Sequence, residues 1–158
     1  MELTQTFELD APASDVWHLL GERYGEVADW ASGLDGSRRT GELGVGCVRV
    51  CESPANWPFP AGIVKERIEW FDRGSRELTY RAFDGLPGFL VSALNRWRVE
   101  PVDEMRCRLH MHATLELSAL ASWCSPVFRL ATKRMGRVFV RDLRQHLSRS
   151  ASMEVVAK

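Results

Sequence analysis

The sequence predicts an α+β protein in which a curved antiparallel sheet closes against one long C-terminal helix. Runs with period-two alternation follow one another from Gly46 to Leu117, with only short turn signals between them, the spacing of a meandering antiparallel sheet. Each run places charge on one face and mostly apolar side chains on the other. From about Ser125 to Ser148 the period becomes helical. Phe128, Ala131, Met135, Val138, Phe139 and Leu143 cluster there, with Arg129, Lys133, Arg137 and Arg144 away from them.

The first strand is read from Leu3, Gln5, Phe7 and Leu9, which share one face. Ala11-Pro12-Ala13-Ser14-Asp15 then predicts a helix start, with Pro in the first turn and Ser14 or Asp15 as cap. The helix VWHLLGERYG carries Val16, Trp17, Leu19 and Leu20, and Gly25 is expected to end it. A second short helix is expected over Glu26 to Ala31, before the Gly-rich ASGLDG. GCVRVCES, GIVKERIEWF, RELTYRAF, ALNRWRVEP and MRCRLHMHATLEL are the strand runs. The loops PANWPFPAG and DGLPG and the turns DRGS and VDE separate them.

Sorting these runs by face gives inward rows Val64/Glu66/Ile68, Leu78/Tyr80/Ala82, Asn95/Trp97/Val99 and Cys107/Leu109/Met111/Ala113/Leu115. Strict alternation through VKERIEW adds Trp70 to the row of Glu66. A strongly curved sheet wrapped around a single helix has difficulty filling its own interior, so a cavity is expected.

The 158 residues fit one domain with a real core. Lys+Arg and Asp+Glu balance at 21 each, so no global field argues for nucleic acid or an anionic membrane. No apolar run reaches transmembrane length, and MELTQTFELD does not read as a signal peptide. Cys47, Cys51, Cys107 and Cys124 form no CxxC pair, so a reduced, cytoplasmic protein is expected.

ELDAPASDVWHLL, GCVRV, KERIEWFD, RELTY, NRWRVEP and the terminal helix occur in the order and at the spacing of a known group. The chain resembles the START-like helix-grip (SRPBCC) superfamily, in its polyketide cyclase/dehydrase and lipid-transport family, over nearly its whole length. The resemblance implies a curved seven-stranded antiparallel sheet gripping a long C-terminal helix, with two short helices after strand 1. It implies one ligand-binding domain over 1–150, leaving 151–158 as a flexible tail. It also places PANWPFPAG and DGLPGFLVS where related plant hormone receptors carry the loops that gate the cavity. Asn56, Trp57, Pro58 and Phe59 would form the tip of the first. The family binds lipids, hormones and polyketides, and only some members are enzymes, so fold does not settle function.

If GCVRVCES and GIVKERI pair about Trp57–Pro58, Arg49 lies opposite Glu66, Cys51 opposite Val64 and Cys47 opposite Ile68. An unpaired buried carboxylate costs several kcal/mol, on the order of ~2–7 even for an uncharged polar group, and a pair seldom beats apolar packing. Two readings stay open. Arg49 and Glu66, with Tyr80 and Asn95, orient a polar group on an otherwise apolar ligand, or they form a self-satisfied ion pair. Tyr80 and Trp97 divide between cavity wall and plain core, and Trp57 between lid and partner contact.

The expected polar contacts are therefore Arg49, Glu66, Tyr80 and Asn95. The expected wall is Cys51, Val64, Ile68, Leu78, Trp97, Leu109 and Met111, with Met135 and Phe139 from the helix. The function expected is binding of a small lipid-, polyketide- or hormone-like molecule by a monomer or homodimer, with no cofactor, nucleic acid or stable membrane insertion. The alternative is a polyketide cyclase or dehydratase with Glu66 as acid or base, Tyr80 as proton donor and Arg49 as oxyanion stabiliser. A protein-binding module using Trp57 and the basic helix face is a third class.

Other signals are set aside. His110 and His112 share an outward face with Arg106 and Arg108, which disfavours a metal. Cys47 and Cys51 lie about 13 Å apart along an extended strand, too far for a disulfide. Asp142 and His146 are i,i+4 without an activated nucleophile. GELGVG lacks the strand-turn-helix setting of a phosphate loop.

Overall fold

The computed structural model describes residues 1–56 and 58–156. Strand β1 (Glu2–Leu9) leads into α1 (Ala13–Trp17), which widens into a π turn over His18–Glu22 and is followed by a 3-10 helix over Tyr24–Asp29. Six strands come next: β2 (Gly36–Thr40), β3 (Val48–Ser53), β4 (Gly62–Asp72), β5 (Glu77–Asp84), β6 (Leu90–Pro101) and β7 (Cys107–Leu117). A 3-10 turn over Ala121–Cys124 leads into α2 (Ser125–Val156).

The strands form one antiparallel sheet in the order β1-β7-β6-β5-β4-β3-β2. Consecutive β1 and β2 therefore stand at opposite edges, and the helical segment between them has to cross one face. That crossing is why Val16, Trp17, Leu20, Tyr24 and Val27 are buried. They join Leu9, Ile68, Leu78, Trp97, Val99, Cys107, Leu109, Val140 and Leu143 in the main core. A smaller cluster of Leu3, Ala82, Ala93 and Leu115 lies apart from it.

Helix α2 covers the same face. It comes close to β1 at Gly136, where a Cβ would lie 2.4 Å from Gln5 Oε1, and Gln5 Nε2 donates to the Lys133 carbonyl at 3.2 Å. Only glycine allows that approach without moving the Gln5 side chain.

The inward rows fall as the alternation predicts, except in β4. There Ile68 pairs with Tyr80 but Trp70 pairs with Thr79, a bulge of one residue. The extra residue reverses the phase of the strand. Trp70 turns outward and is 54 % exposed, while Phe71 turns in and stacks on Trp17 with centroids 5.3 Å apart.

Other local expectations are also revised. Pro12 itself holds the N-cap position of α1, and no side chain caps it. Gly25 lies inside the 3-10 helix rather than ending a helix, because that segment follows the sheet instead of an α period. Strand β2, GSRRT, has no apolar alternation because it is an edge strand, held by pairing to β3 and by Ser37 Oγ, which accepts from the Ala28 amide and donates to the Gly25 carbonyl, both at 2.9 Å. Helix α2 continues to Val156.

The outward face is laced by cross-strand ion pairs: Arg81–Glu69, Arg96–Glu77, Arg108–Glu8 and Lys65–Asp84. Exposed pairs of this kind add roughly 0–1 kcal/mol each, so they keep the face wet more than they stabilise it. His110 and His112 belong to this lacing. His110 meets Glu100 at 2.8 Å and Thr6 at 3.1 Å, and His112 meets Thr4 at 3.0 Å. Among the described residues no group of His, Cys, Asp or Glu could hold a metal ion.

The turn before β6 is fixed by Gly85, whose φ is +76° and whose added Cβ would fall 1.8 Å from the Ile63 carbonyl oxygen. Gly85→Ala should lower unfolding stability by at least ~2 kcal/mol; a urea denaturation midpoint equal to that of the wild type would contradict this placement.

Candidate functional site

The hairpin of β3 and β4 brings Arg49 opposite Glu66 and Cys51 opposite Val64. The Ile68 amide donates to the Cys47 carbonyl at 2.9 Å, completing the expected register. Arg49 Nε and Nη2 both donate to Glu66 Oε2, at 2.8 and 2.6 Å. The third edge of the guanidinium, Nη1, donates to the Tyr24 backbone carbonyl at 3.1 Å. The guanidinium also lies 4.0 Å from the centroid of the Tyr24 ring and 5.0 Å from that of Tyr80, within cation–π range. Arg49 is 4 % exposed, yet each of its nitrogens is engaged.

Glu66 is held differently. Its side chain is 14 % exposed, and Cys51 Sγ approaches Oε2 at 3.7 Å. All these contacts fall on one carboxylate oxygen. The other, Oε1, has no hydrogen-bond partner among the described residues. Across β5 and β6 the row of Glu66 continues through Ala82 and Ala93, so methyl groups rather than bulky side chains flank it.

Charge states follow from burial. Burial alone would lower the Arg49 pKa, but the Glu66 carboxylate beside it reverses this and the net shift is upward. Burial raises the Tyr24 and Tyr80 hydroxyls far above their ordinary value, so both are neutral donors. Burial also pushes the Cys51 thiol up to about 12, against the pull of Arg49.

The remaining inward aromatics form a chain. Tyr24 meets Tyr80 edge-on at 5.9 Å, Tyr80 meets Trp97 at 5.1 Å, Trp97 meets Phe139 at 5.0 Å, and Phe139 meets Trp30 at 4.8 Å. Leu78, Ile68 and Leu109 are fully buried with them. This half of the interior is packed. Toward the loops the inward residues Val64, Asn95, Met111 and Ala113 are only half-buried. The Asn95 amide has no side-chain partner among the described residues; elsewhere in the interior the buried Tyr24 hydroxyl, Trp30 Nε1 and Thr132 Oγ1 have none either.

Both expected gating loops reach this end. Phe59 of the β3–β4 loop stacks on Phe89 of the β5–β6 loop at 5.8 Å, and Phe89 on Phe128 of α2 at 4.8 Å. Asn56 and Phe59 bridge each other through their backbones, and Pro58 is half-buried. Trp57 lies outside the described residues. Met135, expected on the wall, is 43 % exposed, because Gly136, Val140 and Leu143 are the positions buried against the sheet.

Tyr24 is the site residue that strand alternation missed. It comes from the crossing helical segment, and nothing in ERYG shows which strand that segment will cross. Two clefts lie elsewhere. One, about 650 Å³, is on the outward sheet face beside Trp70, Leu94, Arg96 and His112; the other, about 220 Å³, is between Trp30, Ser32, Asp142 and His146. In the second, Asp142 accepts from the Ser32 amide at 2.9 Å, from Ser32 Oγ at 2.5 Å and from Arg141. It is thereby a structural carboxylate rather than a partner for His146.

Seven antiparallel strands gripping a C-terminal helix, with the first helices crossing the same face, define a helix-grip protein. Residues 1–149 match the family model described as polyketide cyclase / dehydrase and lipid transport, and the chain belongs to that family. Solved structures agree in fold. The Zhui aromatase/cyclase from Streptomyces sp. R1128 superposes with a TM-score of 0.80 at 16 % identity, covering 96 % of this chain and 95 % of that one. A START superfamily protein from Mycobacterium smegmatis gives 0.76 at 10 % identity, over 94 % and 97 % of the two chains. Norcoclaurine synthase from Thalictrum flavum, in complex with dopamine and hydroxybenzaldehyde, gives 0.66 at 16 % identity, over 92 % and 87 %. Comparison with the curated proteins finds no match.

Two outcomes test this site. Arg49→Met should cost about 3–5 kcal/mol in a urea titration, whereas Arg49→Met combined with Glu66→Leu should recover most of it; equal losses would mean that the pair is not coupled. Iodoacetamide at about pH 8 should modify the native chain on the exposed Cys124 and spare the buried Cys47, Cys51 and Cys107, as read by peptide mass mapping. Prompt labelling of Cys51 would contradict its burial against Glu66.

Proposed function

We propose that the chain binds a small hydrophobic or amphipathic molecule between the sheet and α2, with Glu66 as the acceptor for its polar end. The observation that carries this is the division of the Glu66 carboxylate. Oε2 is saturated by Arg49, whereas Oε1 has no hydrogen-bond partner among the described residues and the side chain keeps 14 % exposure. Oε1 is not among the buried atoms left without a partner, so it opens to space that a donor can reach, and a hydrogen bond to a charged acceptor is among the stronger ones. A ligand hydroxyl or phenol would complete it. Asn95 and the Tyr24 hydroxyl offer further polar contacts, and Val64, Met111 and Ala113 offer apolar area.

Within this reading Arg49 is a positioning residue. Its Nε, Nη1 and Nη2 are turned to Glu66 and to the Tyr24 carbonyl, which leaves the oxyanion role of the cyclase alternative without an aimed donor. Phe59, Phe89 and Phe128 would form the mouth.

Native mass spectrometry of freshly purified protein tests the proposal. The wild type should carry a small molecule that denaturation releases. Glu66→Gln, whose amide oxygen can still accept from Arg49, should fold with a lowered melting temperature, because the buried Arg49 loses its counter-charge, and should retain the molecule at least about tenfold less well. Equal retention by a well-folded Glu66→Gln would count against the proposal, and conversion of the released species on incubation would favour the enzyme.

A further inference from the structure

The chain is neutral overall, yet its charge is locally segregated. Between Leu117 and Arg141 there is no Asp or Glu, while Arg129, Lys133, Arg134, Arg137 and Arg141 all fall in that stretch. Among the described residues Arg129, Lys133, Arg134 and Arg137 form no ion pair, whereas Arg38, Arg49, Arg81, Arg96 and Arg108 of the sheet each do.

Beside this basic segment lies apolar surface that the fold leaves bare. Leu120 and Trp123 are each 90 % exposed, Leu130 is 67 % and Val127 is 38 % exposed. Continued at helical spacing, Trp123, Val127, Leu130, Arg134, Arg137 and Arg141 occupy one outward line, apolar at its start and cationic beyond. Large side chains exposed together, rimmed by charge of one sign, mark an interaction surface. The line begins next to the mouth, for the Ser118 amide donates to the Phe89 carbonyl at 3.0 Å, and Phe128 stacks on Phe89.

We propose that this end of the molecule docks peripherally on an anionic lipid surface, with Leu120, Trp123, Val127 and Leu130 entering the interfacial region and Arg129, Lys133, Arg134 and Arg137 meeting the headgroups. Trp is suited to that boundary because its ring is apolar and its N–H polar. Several cations near an anionic leaflet add to the apolar contact. A symmetric pair of copies meeting through this face would bring like charges together with no acidic residue in the segment to offset them, which disfavours a second copy as the occupant. No helix among the described residues is long and apolar enough to cross a membrane, so docking means lying on the surface. The proposal does not depend on Glu66 or on the identity of a bound molecule.

Flotation of the full chain with phosphatidylcholine vesicles, with and without phosphatidylserine, tests it. Binding should require phosphatidylserine and weaken as salt rises. Arg134→Gln and Arg137→Gln should each lower partitioning about fivefold, and Trp123→Ser about tenfold, with melting temperatures unchanged because all three sites are exposed. A polarity-sensitive dye on Cys124, the exposed cysteine of this turn, should shift to the blue on phosphatidylserine vesicles alone. Equal binding to both vesicle types, or none, would overturn the proposal. So would a dimer in sedimentation that Trp123→Ser dissolves, since the face would then be an interface between copies. Retention of a co-purified molecule by Trp123→Ser separates this outcome from failure of the Glu66 reading.

Discussion

The contact between Arg49 and Glu66 organises the interior. Two charges have been taken out of water on the inner face of β3 and β4, and such a pair is rarely a net gain over apolar side chains of the same volume. What makes it tolerable is the completeness of Arg49's surroundings: Oε2 of Glu66, the Tyr24 carbonyl and two aromatic faces. The guanidinium thereby ties β3 and β4 to the helical segment that crosses beneath them. That segment can in turn pack Val16, Trp17 and Leu20 against Leu78 and Leu109. The acid keeps one oxygen, Oε1, without a hydrogen-bond partner among the described residues.

Much of this was legible in the sequence. Pairing Arg49 with Glu66 follows from alternation plus the length of the intervening loop, because both residues occupy positions that must face inward if Ile68 does. Tyr80, Asn95 and Trp97 follow by the same rule. Where the rule failed, at Trp70, the cause was a single inserted residue that shifts phase without changing composition. Strand β2 was illegible because an edge strand with one neighbour needs no apolar row. Tyr24 was illegible because the path of a short helical crossing is set by the sheet it covers. Met135 shows the same limit on a helix: the apolar cluster of a helical projection is wider than the stripe that the sheet buries.

The two halves of the interior differ in kind. Around the first helices, aromatic rings and β-branched residues interlock from Tyr24 to Trp30. This half supplies the free energy of folding, because it buries the largest side chains completely. Toward the loops, Val64, Asn95, Met111 and Ala113 are only partly buried. One half of the interior is thus closely packed, and the other is only partly buried.

The bulge in β4 makes that separation structural. Upstream of it the strand addresses the interior through Val64, Glu66 and Ile68; downstream it does so through Phe71. Because the two stretches are out of step, changing the side chains of one leaves the facing of the other untouched. A single strand thus acts as two modules on one backbone, and sequence drift on the Glu66 side of the bulge need not be transmitted to the Phe71 side.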